Sequence, residues 1–435
     1  MNKRILSVYF IFGFLVIKGR AQEILTPEDA IRITLENNYD IRLAENSYES
    51  DQLGVSAGFA GMLPRVGLVL NDNNSTQSLD QTRTDGTERS LSNAKNNSLN
   101  YGVALDWTVF DGFGMFARHE QLQELEKLGG AELKKAILTN VSNVLITYYD
   151  VVQQQQQLAV LDSTLVISEQ RVELAENRFI IGKASKLELL NAKVDLNTDQ
   201  TLKLKQQESY NNTKIQLNEL LARDSKTDFQ VVDKIAVDKD LFLPELEVLA
   251  KERNPELLAQ IINKQIAELE LKQVRAGRYP TIIASTGYNF ARSESSLGFT
   301  TSSSSHGWNY GFSVSLNVFD GFNQNRNEKI AKIAIDNNQL MIEQQKQALL
   351  SRLGTAFQTY QTNLGLIVLE HRNENIAKEN LDITMEKYKI GTIPTIEFRT
   401  AQLNYINARL RHSEAVLQAK LSEITLKAIS GSLSF

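Results

Sequence analysis

The sequence contains no cysteine, which excludes a disulfide framework, a thiolate metal centre and the lipid-bearing cysteine of a lipoprotein. No segment offers the roughly 18 consecutive apolar residues from which a membrane-crossing helix is built. Positive charge is also in short supply. Lys and Arg together number 47 against 52 Asp and Glu, a formal charge of -5, and an acidic chain is a poor partner for nucleic acid. The only four histidines, His119, His306, His371 and His412, lie far apart in the chain without metal-ligand spacing. Neither a phosphate-binding loop nor a nucleophile motif is present. The expectation is a protein that is not an enzyme, with no cofactor and no metal site.

What is there begins with a leader. Lys3 and Arg4 precede the apolar run "ILSVYFIFGFLVI" from Ile5 to Ile17, followed by "KGRAQ" with small residues at Gly19 and Ala21. That order is a secretory signal peptide, cut after Ala21. Its removal deletes four basic residues (Lys3, Arg4, Lys18, Arg20) and no acid, taking the net charge from -5 to -9. An exported chain without a membrane helix is either soluble or crosses a membrane by the other available route, a closed β-barrel.

The pentapeptide "VFDGF" occurs twice, at Val109–Phe113 and Val318–Phe322, 209 positions apart. The surroundings repeat as well. Asn100-Tyr101-Gly102 matches Asn309-Tyr310-Gly311, Gly182 matches Gly391, Glu188 matches Glu397 and Ala192 matches Ala401 at the same offset. Upstream the offset becomes 216, pairing Asn38 with Asn254 and Pro64 with Pro280, so a polar interval between the prolines and the tyrosines has changed length by seven. The chain is a duplication: a first repeat at 22–223, a connector at 224–245, and a second repeat at 246–435.

Each repeat reads helix, strand, polar loop, strand, long helix, glycine turn, helix. The first long helix is expected over about 114–180, with apolar residues in steps of three, four and seven from Ile137 to Phe179, the seam of a coiled coil. The run Gln153 to Gln157 interrupts this seam and reads as a solvated face. Strands are expected at about 65–73, 100–110, 281–291 and 309–319, with a loop from Asn71 to Ser98. In the second strand Tyr101, Val103, Leu105, Trp107 and Val109 form one face, against Gly102, Ala104, Asp106, Thr108 and Phe110. Ten alternating residues suit a transmembrane β-strand, and equally a half-buried strand of a soluble sandwich. Four strands cannot close a barrel, so closure requires several copies.

These features resemble the TolC-like outer-membrane efflux and secretion channels of Gram-negative bacteria. The likeness rests on "LTPEDAIRITLENNYDIRLAENSYESDQLGVSAGFAGMLPRVGL", the doubled "FDGF", and the paired tips "NRFIIGKASKLELLNAKVDL" and "EKYKIGTIPTIEFRTAQLNY". It implies a mainly α fold with a membrane β part: duplicated long-helix hairpins forming a trimeric periplasmic α-barrel, and a 12-stranded outer-membrane β-barrel with four strands per chain. It also implies a passive exit duct of a tripartite efflux pump or type I secretion system, partnered by a periplasmic adaptor and an inner-membrane transporter of RND or ABC type. The competing expectation is a soluble periplasmic coiled-coil structural or adaptor protein.

The resemblance assigns roles to particular residues. Phe110, Asp111 and Gly112, and their counterparts Phe319, Asp320 and Gly321, mark the strand-to-helix junctions, where Asp also serves as a plain helix cap. Phe179, Ile181, Gly182, Lys183, Ile390, Gly391 and Thr392 form tips that meet the adaptor, although a bare helix reversal accounts for both glycines. Glu397 and Thr400 fall where well-studied members carry two constriction aspartates, so half that charge is missing. Glu188 falls where an acid bonds the tip tyrosine, here Tyr388. A solvated helix charge is the alternative for both glutamates. An arginine that locks the tip in some members is matched by Ile393, so that lock is expected to be absent.

Overall fold

The computed structural model describes residues 24–296 and 300–433; the expected signal peptide lies outside the described residues. Two helices, α1 (Pro27–Asn37) and α2 (Tyr39–Gly54), occupy the first expected helical segment. Asn38 separates them because its side chain accepts from the Asp40 and Ile41 amides and so starts a new helix. A hairpin of β2 (Arg65–Thr82) and β3 (Glu88–Asp111) follows the short β1 (Ile24–Leu25) and these helices. Then come α3 (Gly114–Ile180) and α4 (Lys186–Leu220). The connector carries β4 (Gln230–Val231), which pairs in parallel with β1.

The second half repeats the order with α5 (Leu243–Arg253), α6 (Pro255–Ala276), β5 (Thr281–Ser295), β6 (Ser302–Ser315), α7 (Asn323–Ile390) and α8 (Thr395–Ser430). At 67 and 68 residues, α3 and α7 are matched in length, each roughly 100 Å long at about 1.5 Å per residue. Local contacts repeat too. Asn38 donates to the Leu220 carbonyl at 2.9 Å, and Asn254 donates to the Ile429 carbonyl at 3.0 Å. Each asparagine thus caps one helix and ties it to the end of the last helix of its own half.

Both "VFDGF" copies fold alike. Asp111 accepts from the Met115 amide at 3.0 Å and Asp320 from the Gln324 amide at 2.7 Å, satisfying first-turn donors of α3 and α7. Gly112 and Phe113 both have positive φ (72° and 69°), as do Gly321 and Phe322 (69° and 61°). Two consecutive left-handed residues turn the strand direction into the helix direction. A Cβ on Gly112 would lie 2.3 Å from the Ala276 carbonyl oxygen, so only glycine fits there. The phenylalanines on either side of each Asp-Gly pair meet edge to face, at 5.2 Å for Phe110–Phe113 and 5.5 Å for Phe319–Phe322.

The four long strands form one antiparallel sheet in the order β2-β3-β5-β6. The expected loop at 71–98 is mostly strand: β2 and β3 pair from Arg65↔Asp106 out to Thr82↔Glu88. Backbone pairing needs no apolar side chains, so an Asn/Ser/Thr-rich segment can continue the ladder, and only a tight turn joins the strands. In the second half β6 ends at Ser315, short of the expected 319.

Two helical cores stabilise the waist. One gathers Leu25, Val141, Val144, Tyr148, Leu217 and Phe229, the other Leu246, Leu257, Leu349, Leu353 and Tyr360. The glutamine run is not a solvated face. Gln153 is buried, and Gln154, Gln155 and Gln156 bond Gln206, Tyr210 and Ser413. An amide carries both donors and acceptors, so it can fill a helix seam wherever partners face it.

Candidate functional site

The two hairpin tips lie side by side at one end of the molecule. At the first, α3 ends at Ile180 and Gly182 reverses the chain with φ 74°; at the second, Gly391 does the same with φ 82°. No neighbouring atom comes within 4 Å of a Cβ built on Gly182, so backbone conformation alone calls for glycine there. Ser185 caps α4 by accepting from the Glu188 amide at 3.2 Å. Around these turns Phe179, Ile180, Ile181, Leu187, Ile390 and Ile396 are all exposed, an apolar patch on an otherwise polar end. Lys183 and Thr392 are exposed beside it.

Beneath the patch Tyr388 is fully buried, its ring stacked on Phe398 at 5.1 Å. Its hydroxyl donates to Glu188 Oε1 at 3.3 Å, joining the second tip to the first. Burial pushes the Tyr388 hydroxyl above the ordinary tyrosine range, and the Glu188 charge acts in the same sense. It therefore stays a proton donor throughout the physiological range. Glu397 and Thr400 sit together on an exposed face of α8, one turn apart.

Sequence reasoning missed Arg178. Its guanidinium lies over the Tyr388 ring at 4.7 Å, donates to the Tyr388 carbonyl, and stands 3.7 Å from Glu188. Arg178, on the first hairpin, thus bonds the second tip while standing beside Glu188 of its own. A second missed group lies further along the helices. Arg399 on α8 grips Asp199 on α4 with two bonds, at 2.8 and 2.9 Å. Ser168 on α3 donates to the same carboxylate at 2.6 Å and accepts from Gln402 at 3.0 Å. Asp199 and Arg399 are both buried, and Arg171 pairs with Asp195 alongside. One signal could have found this network: the expected seam steps by seven from Leu165 to Val172, and Ser168 fills the omitted position.

The histidine expectation is corrected in one respect. His371 and His412 are 41 residues apart in sequence, yet the α7–α8 hairpin brings their ring centroids to 5.0 Å. Separation along a chain says nothing about separation across a hairpin.

Among the described residues no helix is long and apolar enough to cross a membrane. The family model for outer membrane efflux proteins matches residues 30–223 and 246–432, one stretch per repeat. The chain belongs to the outer membrane efflux protein family. Its members are channels rather than enzymes, serving efflux or secretion at the outer membrane with periplasmic adaptors and inner-membrane pumps. A soluble coiled-coil protein is not favoured.

Relatives and structures agree. The chain is 18% identical over 432 residues to the proteases secretion protein PrtF of Dickeya chrysanthemi, covering 97% of this chain and 91% of that one. Its fold matches the CmeC outer membrane channel of Campylobacter jejuni, with a TM-score of 0.76 and 15% identity over 99% of this chain and 94% of that one. It also matches the open state of the MtrE outer membrane channel of Neisseria gonorrhoeae, with a TM-score of 0.72 and 16% identity over 93% of this chain and 89% of that one. The shared architecture is that of helical-barrel channels with a β part.

Proposed function

We propose that three copies of this chain close a 12-stranded barrel in the outer membrane and continue into a periplasmic tunnel whose tips open when an adaptor docks. The observation that carries this reading is the sheet. Its edge strands β2 and β6 have no partner on their outer sides within the described chain. With an even number of alternating strands, β6 of one copy would run antiparallel to β2 of the next, so a head-to-tail ring closes without a fault. Three copies leave room for a lumen, where two would be filled by side chains.

The apolar face supports a lipid assignment. Successive cross-strand rows bring together Leu70, Tyr101 and Phe290, then Leu68, Val103, Tyr288 and Trp308, then Val66, Leu105 and Tyr310, then Trp107 and Phe312. Most of these side chains are exposed in the single chain. With Ile282 and Val314 the rows extend over roughly 27 Å along the strands at about 3.4 Å per residue, the scale of a bilayer's hydrocarbon core. Aromatic pairs such as Tyr101–Phe290 and Tyr288–Trp308 lie toward one end, as interfacial girdles do.

At the other end, the exposed isoleucines and Phe179 are the docking surface for a periplasmic adaptor, itself joined to an inner-membrane transporter of RND or ABC type. Glu397 and Thr400 line the constriction, while Tyr388, Glu188 and Arg178 hold it. Solutes or a secreted polypeptide leave through the opened duct, and no bond is made or broken. Fractionation tests this directly: the chain should be recovered from outer membranes as a heat-modifiable trimer. Recovery as a soluble periplasmic monomer would overturn it.

A further inference from the structure

A group of side chains unconnected with the tips lies higher on the second hairpin. His371 and Glu374 are one turn apart on α7, and His412 faces them from α8. His371 precedes the reversal at Gly391 by 20 residues and His412 follows it by 21, so both stand at the same height, roughly 30 Å from the tip at about 1.5 Å per residue.

His412 Nδ1 lies 2.6 Å from Glu374 Oε2, and one ligand atom from each of the three residues falls within 4.8 Å of the others. Tetrahedral zinc with bonds of about 2.0–2.1 Å sets its ligand atoms about 3.3 Å apart. One pair is already closer than that, and the rest requires only a small side-chain rotation. Arg409 approaches Glu374 at the other oxygen, Oε1, at 3.9 Å, while Arg411 is occupied by Glu370 at 3.1 Å. Neither arginine is recorded against Glu374 Oε2, the oxygen beside His412, which therefore remains available to a cation.

Solvent reaches the group from two sides. His371 is exposed, and Glu374 and His412 line a cleft of about 390 Å³ bounded by Asp233, Lys234 and Ser413. Two imidazoles and one carboxylate suit a borderline transition ion far better than the hard ions Mg²⁺ and Ca²⁺, which take oxygen ligands.

We propose that His371, Glu374 and His412 bind one zinc-class divalent ion per chain, clipping α7 to α8 midway along the hairpin. Three protein ligands leave a fourth position for water. The His412–Glu374 hydrogen bond holds two of the ligands together until the ion replaces it. Because the ion is held by the packed hairpin and not by the unfolded chain, binding raises resistance to unfolding.

The test is calorimetric titration of the purified full-length protein in detergent with Zn²⁺, together with its thermal unfolding. The expected result is one Zn²⁺ per chain and an upward shift of the unfolding midpoint, with no response to Mg²⁺. His371→Ala, Glu374→Gln and His412→Ala should each weaken binding tenfold or more, and His306→Ala should leave it unchanged. His371 is exposed, so its removal leaves folding intact and keeps the test decisive. Absence of stoichiometric zinc, or binding unaltered by His371→Ala, would overturn the assignment.

Discussion

Arg399 and Asp199 form a doubly bonded pair in a buried seam, and removing one partner strands the other. Arg399→Met should destabilise the helical part by about 3–5 kcal/mol, because an unpaired carboxylate remains among α3, α4 and α8. Replacing Asp199 by Leu in the same chain should recover much of that loss. Urea unfolding of both variants checks this, and equal losses would mean that the pair's charges are not coupled. At the tip, Tyr388→Phe removes only a hydroxyl, whose bond to Glu188 spans 3.3 Å and contributes no more than about 1.5 kcal/mol. The expected outcome is a higher resting conductance with an unchanged yield of assembled protein. The Glu188–Tyr388 encounter was implied by the resemblance to the channel family and is present in the structure, but the contact made by Arg178 was not legible in the sequence. Its role comes from the neighbouring hairpin, and a helical repeat reports what lies on one face without reporting what lies across from it.

Among the elements, the long helices were the most legible. The apolar seam and the flanking glycines bounded α3 over 114–180, the span it occupies. The β2–β3 hairpin was the least legible, because its outer half is held by backbone bonds and carries no alternating apolar signal. That difference moves a test. An epitope tag belongs in the turn at Asp85–Gly86, where Gly86 has φ 83°, and not throughout the polar stretch. Antibody should then label intact cells, and labelling only after lysis would reverse the membrane orientation. Leu105 lies in the middle rows of the apolar face, opposite Val66. Leu105→Arg should cost about 2–4 kcal/mol per chain at the bilayer midplane. Unchanged recovery of the variant from outer membranes would show that this face does not meet lipid.

At the scale of the whole molecule, the duplication accounts for the architecture: two strand pairs for one sheet, and two long hairpins whose tips lie together at one end. Around a three-fold axis, three Glu397 carboxylates would converge where Thr400 supplies no second charge, raising the local cation concentration. Glu397→Gln keeps the shape and removes the charge, so it should reduce cation selectivity while leaving assembly intact. An exit duct must make an aqueous path through a membrane. Planar-bilayer recording of the purified protein, wild type beside Tyr388→Phe, addresses that directly. Discrete, cation-selective conductance steps are expected, larger in the variant. Bilayers that have taken up the protein but pass no stepwise current in either form would contradict the exit-duct function.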